Sequence, residues 1–447
     1  MHRLSKTVAP PALLGFALLA SSAPAQKPQP AQPPSHTLDM TPQSPESVGF
    51  SSERLERLHA YMQKEVDEKQ FAGIITLLAR HGHVIDYRTY GVQDLSSGVP
   101  MAKDTIFRDF SMTKPVTGVA MMILYEQGKW LPSDPIAKFI PEFAHLKVYK
   151  GTDSAGNIIL KDPDHRPTMR ELMSHTAGFT YGFFGDTPVD RMVRDAKLFE
   201  SKNLQEFVEK VAPIPLLYEP GKGWTYSISM DIEGYIVEKL SGQSLPDFMR
   251  DNIFTPLGMK DAGFYVPDDK RPRFATQYWW DGKDGITDKP SGNLPQRDYL
   301  SPPTLASGGG GMVSTTEDYY RFAQMLLNGG ELSGKRILAP ATVSLMTSNH
   351  VPEELLNGTF GIGEMRMRPG FGYGYNGAVE FDPAEANLPD GEGTYMWDGA
   401  AGTWFWVDPG NDLVFIGMIQ RRLAPQSPPL EWESRALVYQ ALVEPAK

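Results

Sequence analysis

The sequence predicts an α+β fold, an antiparallel sheet flanked by N- and C-terminal helices, with a mainly helical inserted domain. Two observations carry this. A hairpin pattern follows an amphipathic helix near the start of the chain, and a second hairpin pattern precedes a helix at its end. Strands from the two termini then share one sheet, and the intervening residues form the insertion.

Taken in order, SSERLERLHAYMQKEVDEK from Ser51 has helical apolar spacing behind a capping serine. GIITLLARHGHVIDYRTYG is two β-rich runs around a His-Gly turn. GTWFWVDPGNDLVFIGMIQ repeats that pattern around Pro409, Gly410 and Asn411, and Trp404 and Trp406 alternate with Phe405 as in a sheet with a buried face. A helix from about Glu431 to Leu442 closes the chain. The implied boundaries are an α/β domain over 46–108 and 311–447 and a helical domain over 109–310.

With 447 residues, 41% hydrophobic and 22% charged, the chain has ordinary globular composition and enough length for a large core. A formal charge of −11 and no Lys/Arg cluster exclude a nucleic-acid binder, which needs a basic face. The start, MHRLSK followed by ALLGFALLA and the small-x-small Ala23-Pro24-Ala25, reads as a signal peptide over 1–25. Its apolar run is too short to span a bilayer, so a periplasmic or secreted protein without stable membrane insertion is expected. Residues 26–45 are Pro/Gln/Ser-rich and read as a linker. The absence of cysteine excludes disulfides, thiolate metal sites and cysteine nucleophiles.

Ser-x-x-Lys occurs once, in RDFSMTKPVTG. From Val116 the run VTGVAMMILYEQG has helical spacing and stops at Gly128, so Pro115 lies near a helix start and Ser111 at its N-terminus. Lys114, three residues on, shares that face and can bring its amine to the Ser111 hydroxyl. A serine hydroxyl is a weak nucleophile until a base takes its proton, and a helix N-terminus favours negative charge there. Further along, Tyr226 in GWTYSISMDIEGYIVEKLSG precedes a helical run from about Ser229 to Gly242, and Trp397-Asp398-Gly399 in YMWDGAAGTWFWVD opens the strand of the last hairpin.

SMTK, YSI and WDG, in this order, resemble the three motifs of the serine β-lactamase and penicillin-binding-protein superfamily, especially the family VIII carboxylesterases related to class C β-lactamases. The likeness extends through LMSHTAGF and GGGGMVSTTEDYYRFAQMLLNGG to the last hairpin, from about residue 46 onward. The resemblance implies a β-lactamase/transpeptidase-like fold and a serine hydrolase acting through an acyl-enzyme. Ser111 would attack the acyl carbon, Lys114 and Tyr226 would share proton transfer, and the amides of Ser111 and Ala400 would form the oxyanion hole. Which of Lys114 and Tyr226 is the base stays open, since both need strongly lowered pKa values. Gly399 would keep the substrate's approach clear.

The departures from the pattern bear on substrate. Trp397 stands where a cation would meet a β-lactam or peptide carboxylate, and Ile228 where an asparagine would bond a substrate amide. Both are expected to line the substrate site, Trp397 as an aromatic wall, and both favour short-chain neutral esters. The alternatives are a β-lactamase or D-amino-acid peptidase, or a non-catalytic penicillin-binding-like sensor. The partner is a small-molecule ester, no cofactor or metal is expected, and no oligomeric state can be read.

Other features have plainer readings. His175 reads as a structural loop residue, because the Gly-x-Ser-x-Gly elbow is absent. Gly308 to Gly311 read as close backbone packing beside the active-site sheet, with Ser314 and Glu317 capping the next helix. Met121 and Met122 read as core, and the aromatic segment Phe179 to Phe184 as a candidate lining of the acyl pocket.

Overall fold

In the computed structural model, the described residues are 38–283, 285–290, 297–356, 361–362, 365–366, 369–422, 424 and 426–444. The expected signal segment and residues 26–37 of the expected linker lie outside them. The rest of that linker is docked: Leu38 and Met40 pack on the core, and the Gln43 amide donates to the Val84 carbonyl at 2.9 Å. A leucine and a methionine supply apolar surface that the Pro/Gln-rich stretch before them lacks.

Seven strands form one sheet in which every neighbouring pair is antiparallel. In chain order they are β1 (Gly73–Arg80), β2 (His83–Gly91), β3 (Phe371–Tyr373), β4 (Ala378–Glu380), β5 (Thr394–Asp398), β6 (Trp404–Asp408) and β7 (Leu413–Met418). Their spatial order is β3-β4-β5-β6-β7-β1-β2, so the first and last hairpins join through β1 and β7, with Leu78 opposite Phe415. The His81-Gly82 turn fits because both residues adopt positive φ, 54° and 74°, as a two-residue hairpin demands.

Both faces of this sheet are covered. Helix α1 (Ser52–Asp67) is capped by the Ser51 side chain, which accepts from the Arg54 amide, and buries Leu55, Leu58 and Met62. The last helix, Leu430–Tyr439, packs beside it, and its Ser434 accepts a hydrogen bond from the Trp404 indole at 3.2 Å. On the opposite face Tyr319, from the helix Thr316–Leu327, meets Phe405 at 4.9 Å between ring centroids. Alternation along β6 thus sends its tryptophans to one helical layer and Phe405 to the other.

Between the hairpins lie two helices that matter to the site, α2 (Thr113–Glu126) and α3 (Ser229–Ser241), packed on each other. Every residue of α2 from Thr113 to Leu124 is buried. At about 1.5–3 kcal/mol for each large apolar side chain removed from water, this anchors the helix start that carries Ser111. Met121 and Met122 are fully buried within it. The cap of the helix after the glycine run is one residue later than the sequence suggests. Thr315 accepts from the Asp318 amide at 3.1 Å, whereas Ser314 belongs to a strand paired with Ile106–Arg108 and donates to Asp109 at 2.8 Å. Both residues end that strand and look alike in sequence until the Asp109 carboxylate claims the Ser314 hydroxyl.

Candidate active site

The strand Ile106–Arg108 delivers the chain to Asp109, and Phe110 then turns it sharply with φ +46°. A non-glycine residue there costs of order 1–3 kcal/mol, held by the surrounding packing. Ser111 follows, half-buried, in a 3₁₀ turn that runs directly into α2. Lys114 Nζ lies 3.1 Å from Ser111 Oγ and donates to the Gly309 carbonyl at 2.6 Å. The amine is fully buried, 4.5 Å from the Tyr226 ring centroid. Burial brings its pKa down to about 7, although Asp231, Asp398 and Glu233 pull the other way.

Tyr226 reaches the same point from the loop ahead of α3. Its hydroxyl accepts the Trp397 indole N–H at 3.3 Å and has the Ser111 hydroxyl as a second hydrogen-bond neighbour. Burial pushes the phenol well above its ordinary value, so it stays protonated. Behind its ring stands His175, with centroids 4.9 Å apart. The His175 Nδ1 pairs with Ser227 Oγ at 3.0 Å, and burial keeps the ring neutral. It fixes the tyrosine by packing.

The third motif departs from expectation in three ways. Trp397 and Asp398 end strand β5 rather than opening the next one. Trp397 is 2% exposed and sits behind Tyr226, so it forms no substrate wall; its neighbour Asp398, pointing to the opposite face of the strand, lines the cleft instead. Gly399 is needed for a different reason from the one expected. A Cβ there would fall 2.3 Å from the Asp109 carbonyl oxygen, so the glycine lets this loop lie against the chain that carries Ser111. Ala400 is exposed and lines the cleft, and among the described residues neither its amide nor that of Ser111 donates to a protein backbone carbonyl. Ile228 is 1% exposed at the start of α3 and does not line the cleft either, because its side chain belongs to the core cluster.

The cleft over Ser111 has a volume of about 1460 Å³. Tyr181, Phe183 and Phe184 of the aromatic segment line it and pack on one another and on Tyr226, whereas Phe179 turns away onto Phe143. The glycine run packs against α3, not the sheet: a Cβ on Gly308 would meet the Met230 carbonyl at 2.2 Å. Among the described residues no cluster of His, Asp or Glu has the makings of a metal site.

Sequence reasoning missed the acid that organises this floor. Asp231 accepts from Ser307 Oγ at 2.5 Å and from the Gly309 amide at 3.3 Å, fixing the carbonyl that receives Lys114. Asn376 was also missed; its amide donates to the Lys114 carbonyl at 3.1 Å and to Glu233 at 2.7 Å, tying α2 to α3. The available signal was two acids, Asp231 and Glu233, inside an otherwise apolar helical run; both are fully buried.

The family model described as Beta-lactamase matches residues 58–440. Protein Rv1367c of Mycobacterium tuberculosis is 34% identical over 370 residues, covering 81% of this chain and 88% of its own length. Esterase EstB of Burkholderia gladioli is 30% identical over 401 residues, covering 86% and 94%. Among solved structures, EstCE1, a hydrolase with promiscuous acyltransferase activity, superposes with a TM-score of 0.72 at 28% identity, covering 87% of this chain and 99% of its own.

Proposed function

Since the chain belongs to the beta-lactamase family and is a serine hydrolase, we propose that it is an exported carboxylesterase that works through an acyl-enzyme on Ser111. The observation that carries the mechanism is the buried Lys114 amine, 3.1 Å from Ser111 Oγ with a pKa near 7. A substantial fraction is neutral at neutral pH and can take the serine proton, whereas the phenol of Tyr226 is held protonated and serves as an acid. Lys114 accepts the proton as Ser111 Oγ bonds to the acyl carbon, and the amides of Ser111 and Ala400 receive the oxyanion. Tyr226 gives its proton to the departing alcohol and is reprotonated from Lys114. Water then attacks the acyl-enzyme along the reverse path, releasing the acid and restoring Ser111.

The esterase reading over the β-lactamase or peptidase one rests on what surrounds Tyr226. An uncharged indole, not an ammonium, meets its hydroxyl, and the buried Ile228 offers no amide to a substrate. Short-chain neutral esters fit the cleft, and its volume also admits larger ones. That same space favours a second reading, acyl transfer to a bound alcohol in place of water, an activity ascribed to EstCE1.

The test is p-nitrophenyl butyrate hydrolysis together with intact mass after fluorophosphonate treatment. The wild type should turn the ester over and gain one adduct, and Ser111→Ala should lose nearly all of both while keeping its fold. Failure of the wild type to label would favour the sensor alternative, and nitrocefin turnover comparable to the ester would favour the β-lactamase. Export is checked separately: the mature chain should begin at Gln26.

A further inference from the structure

The cleft is not neutral. Four cations line it, Arg194, Lys197, Arg297 and Arg422. Three have carboxylate charge near them: Arg194 pairs with Asp186 at 2.5 Å, Lys197 lies 3.8 Å from Glu200, and Arg297 interacts with the charge of Asp231 beyond ion-pair distance. Arg422 differs. It is 9% exposed, its guanidinium lies 4.6 Å from the centroid of the Phe110 ring, and among the described residues no carboxylate pairs with it. A largely buried arginine offers five donors and is costly to leave unpaired, and a phenyl ring compensates only part of that. Its position is fixed from both sides. The amide of Arg421 donates to the Ala401 carbonyl at 3.0 Å, and that of Arg422 to the Tyr278 carbonyl at 2.8 Å. The side chain therefore stands between the loop bearing Ala400 and the residue preceding Ser111. Asp398, which lines the cleft with Ser111, interacts with the Lys114 amine.

We propose that Arg422 is an anion-recognition residue of this cleft, so that the preferred substrates are esters carrying a carboxylate, which the planar guanidinium receives through paired hydrogen bonds. This rests on the esterase reading above and corrects the expectation of neutral substrates, which was drawn from Trp397 in the place of a cation and Ile228 in the place of an amide.

The experiment compares 4-acetoxybenzoate with its methyl ester at pH 7.5. The wild type should show about a tenfold higher kcat/KM for the carboxylate, the order expected of one charge-assisted contact. In Arg422→Gln that ratio should fall to near one, and Arg422→Lys should restore part of it. A wild-type ratio at or below one overturns the proposal without any variant, as does an undiminished ratio in Arg422→Gln with an unaltered melting temperature. If neither ester is hydrolysed, the esterase reading fails and the subsite is read by protection. Benzoate, but not benzamide, should then slow fluorophosphonate labelling of wild-type Ser111 and not that of Arg422→Gln; equal effects of the two probes refute the subsite.

Discussion

Replacing Lys114 by methionine should abolish ester hydrolysis and, at neutral pH, stabilise the fold. The unfolded amine titrates at 10.5 and the buried one at about 7. At ~1.4 kcal/mol per pH unit, folding with this residue therefore costs the wild type about 5 kcal/mol at pH 6.5. Methionine removes that cost and fills similar space, but leaves the Gly309 carbonyl without its 2.6 Å donor, a loss of about 1–3 kcal/mol. The net gain is then about 2–4 kcal/mol at pH 6.5. The advantage fades in a defined window. Between about 7 and 10.5 the unfolded chain binds the extra proton, so wild-type stability rises with pH, and by pH 9.5 the residual cost of about 1.4 kcal/mol is comparable to the lost hydrogen bond. Paired urea titrations of both proteins at pH 6.5, 8 and 9.5 measure this directly. A stability difference that does not change across those three values would show that Lys114 is not buried as a neutral amine, and the assignment of the base would go with it.

Tyr226→Phe should lower kcat on the order of a hundredfold, while Tyr218→Phe, whose hydroxyl donates to the His175 carbonyl and has Thr225 as a second neighbour, should stay near wild type; equal losses would mean that the wrong tyrosine was assigned. Trp397→Phe removes the indole donor from the Tyr226 hydroxyl without touching the cleft, so steady-state kinetics should show kcat reduced about three- to tenfold and KM little changed. A rise in KM instead would return Trp397 to the substrate wall. The pH profile of kcat/KM should climb through about 7 as Lys114 loses its proton, and Asp231→Asn should shift that climb to lower pH, since the carboxylate raises the lysine pKa. An unshifted midpoint would separate Asp231 from the lysine.

The meeting of Ser111, Lys114 and Tyr226 was legible because it depends on spacing: Ser111 and Lys114 share one turn, and Tyr226 stands just ahead of the helix that packs on theirs. Trp397 was misread because a strand sends neighbouring residues to opposite faces, and nothing in YMWDG says which face is the cleft. Ile228 was misread for a related reason, since the first residues of a helix can face inward or outward with equal local propensity. Asp231 and Asn376 were invisible because their partners, Gly309 and Lys114, lie 78 and 262 residues away in sequence. Arg422 falls in a run, GMIQRR, that reads as the polar end of a strand.

The joining of β1 to β7 has a consequence for how the chain comes to be folded. Arg80 is opposite Leu413 in that pair, so this seam of the sheet closes across more than three hundred residues and only once nearly the whole polypeptide exists. Such distant pairing makes for slow folding, because the entropy of closing the loop is lost before the contacts return it. Until then Gly73–Arg80, apolar along most of its length, has a bare edge able to pair with a second nascent chain. A chain that stays open this long makes the yield of active protein a matter of what shields that strand while the rest is being made.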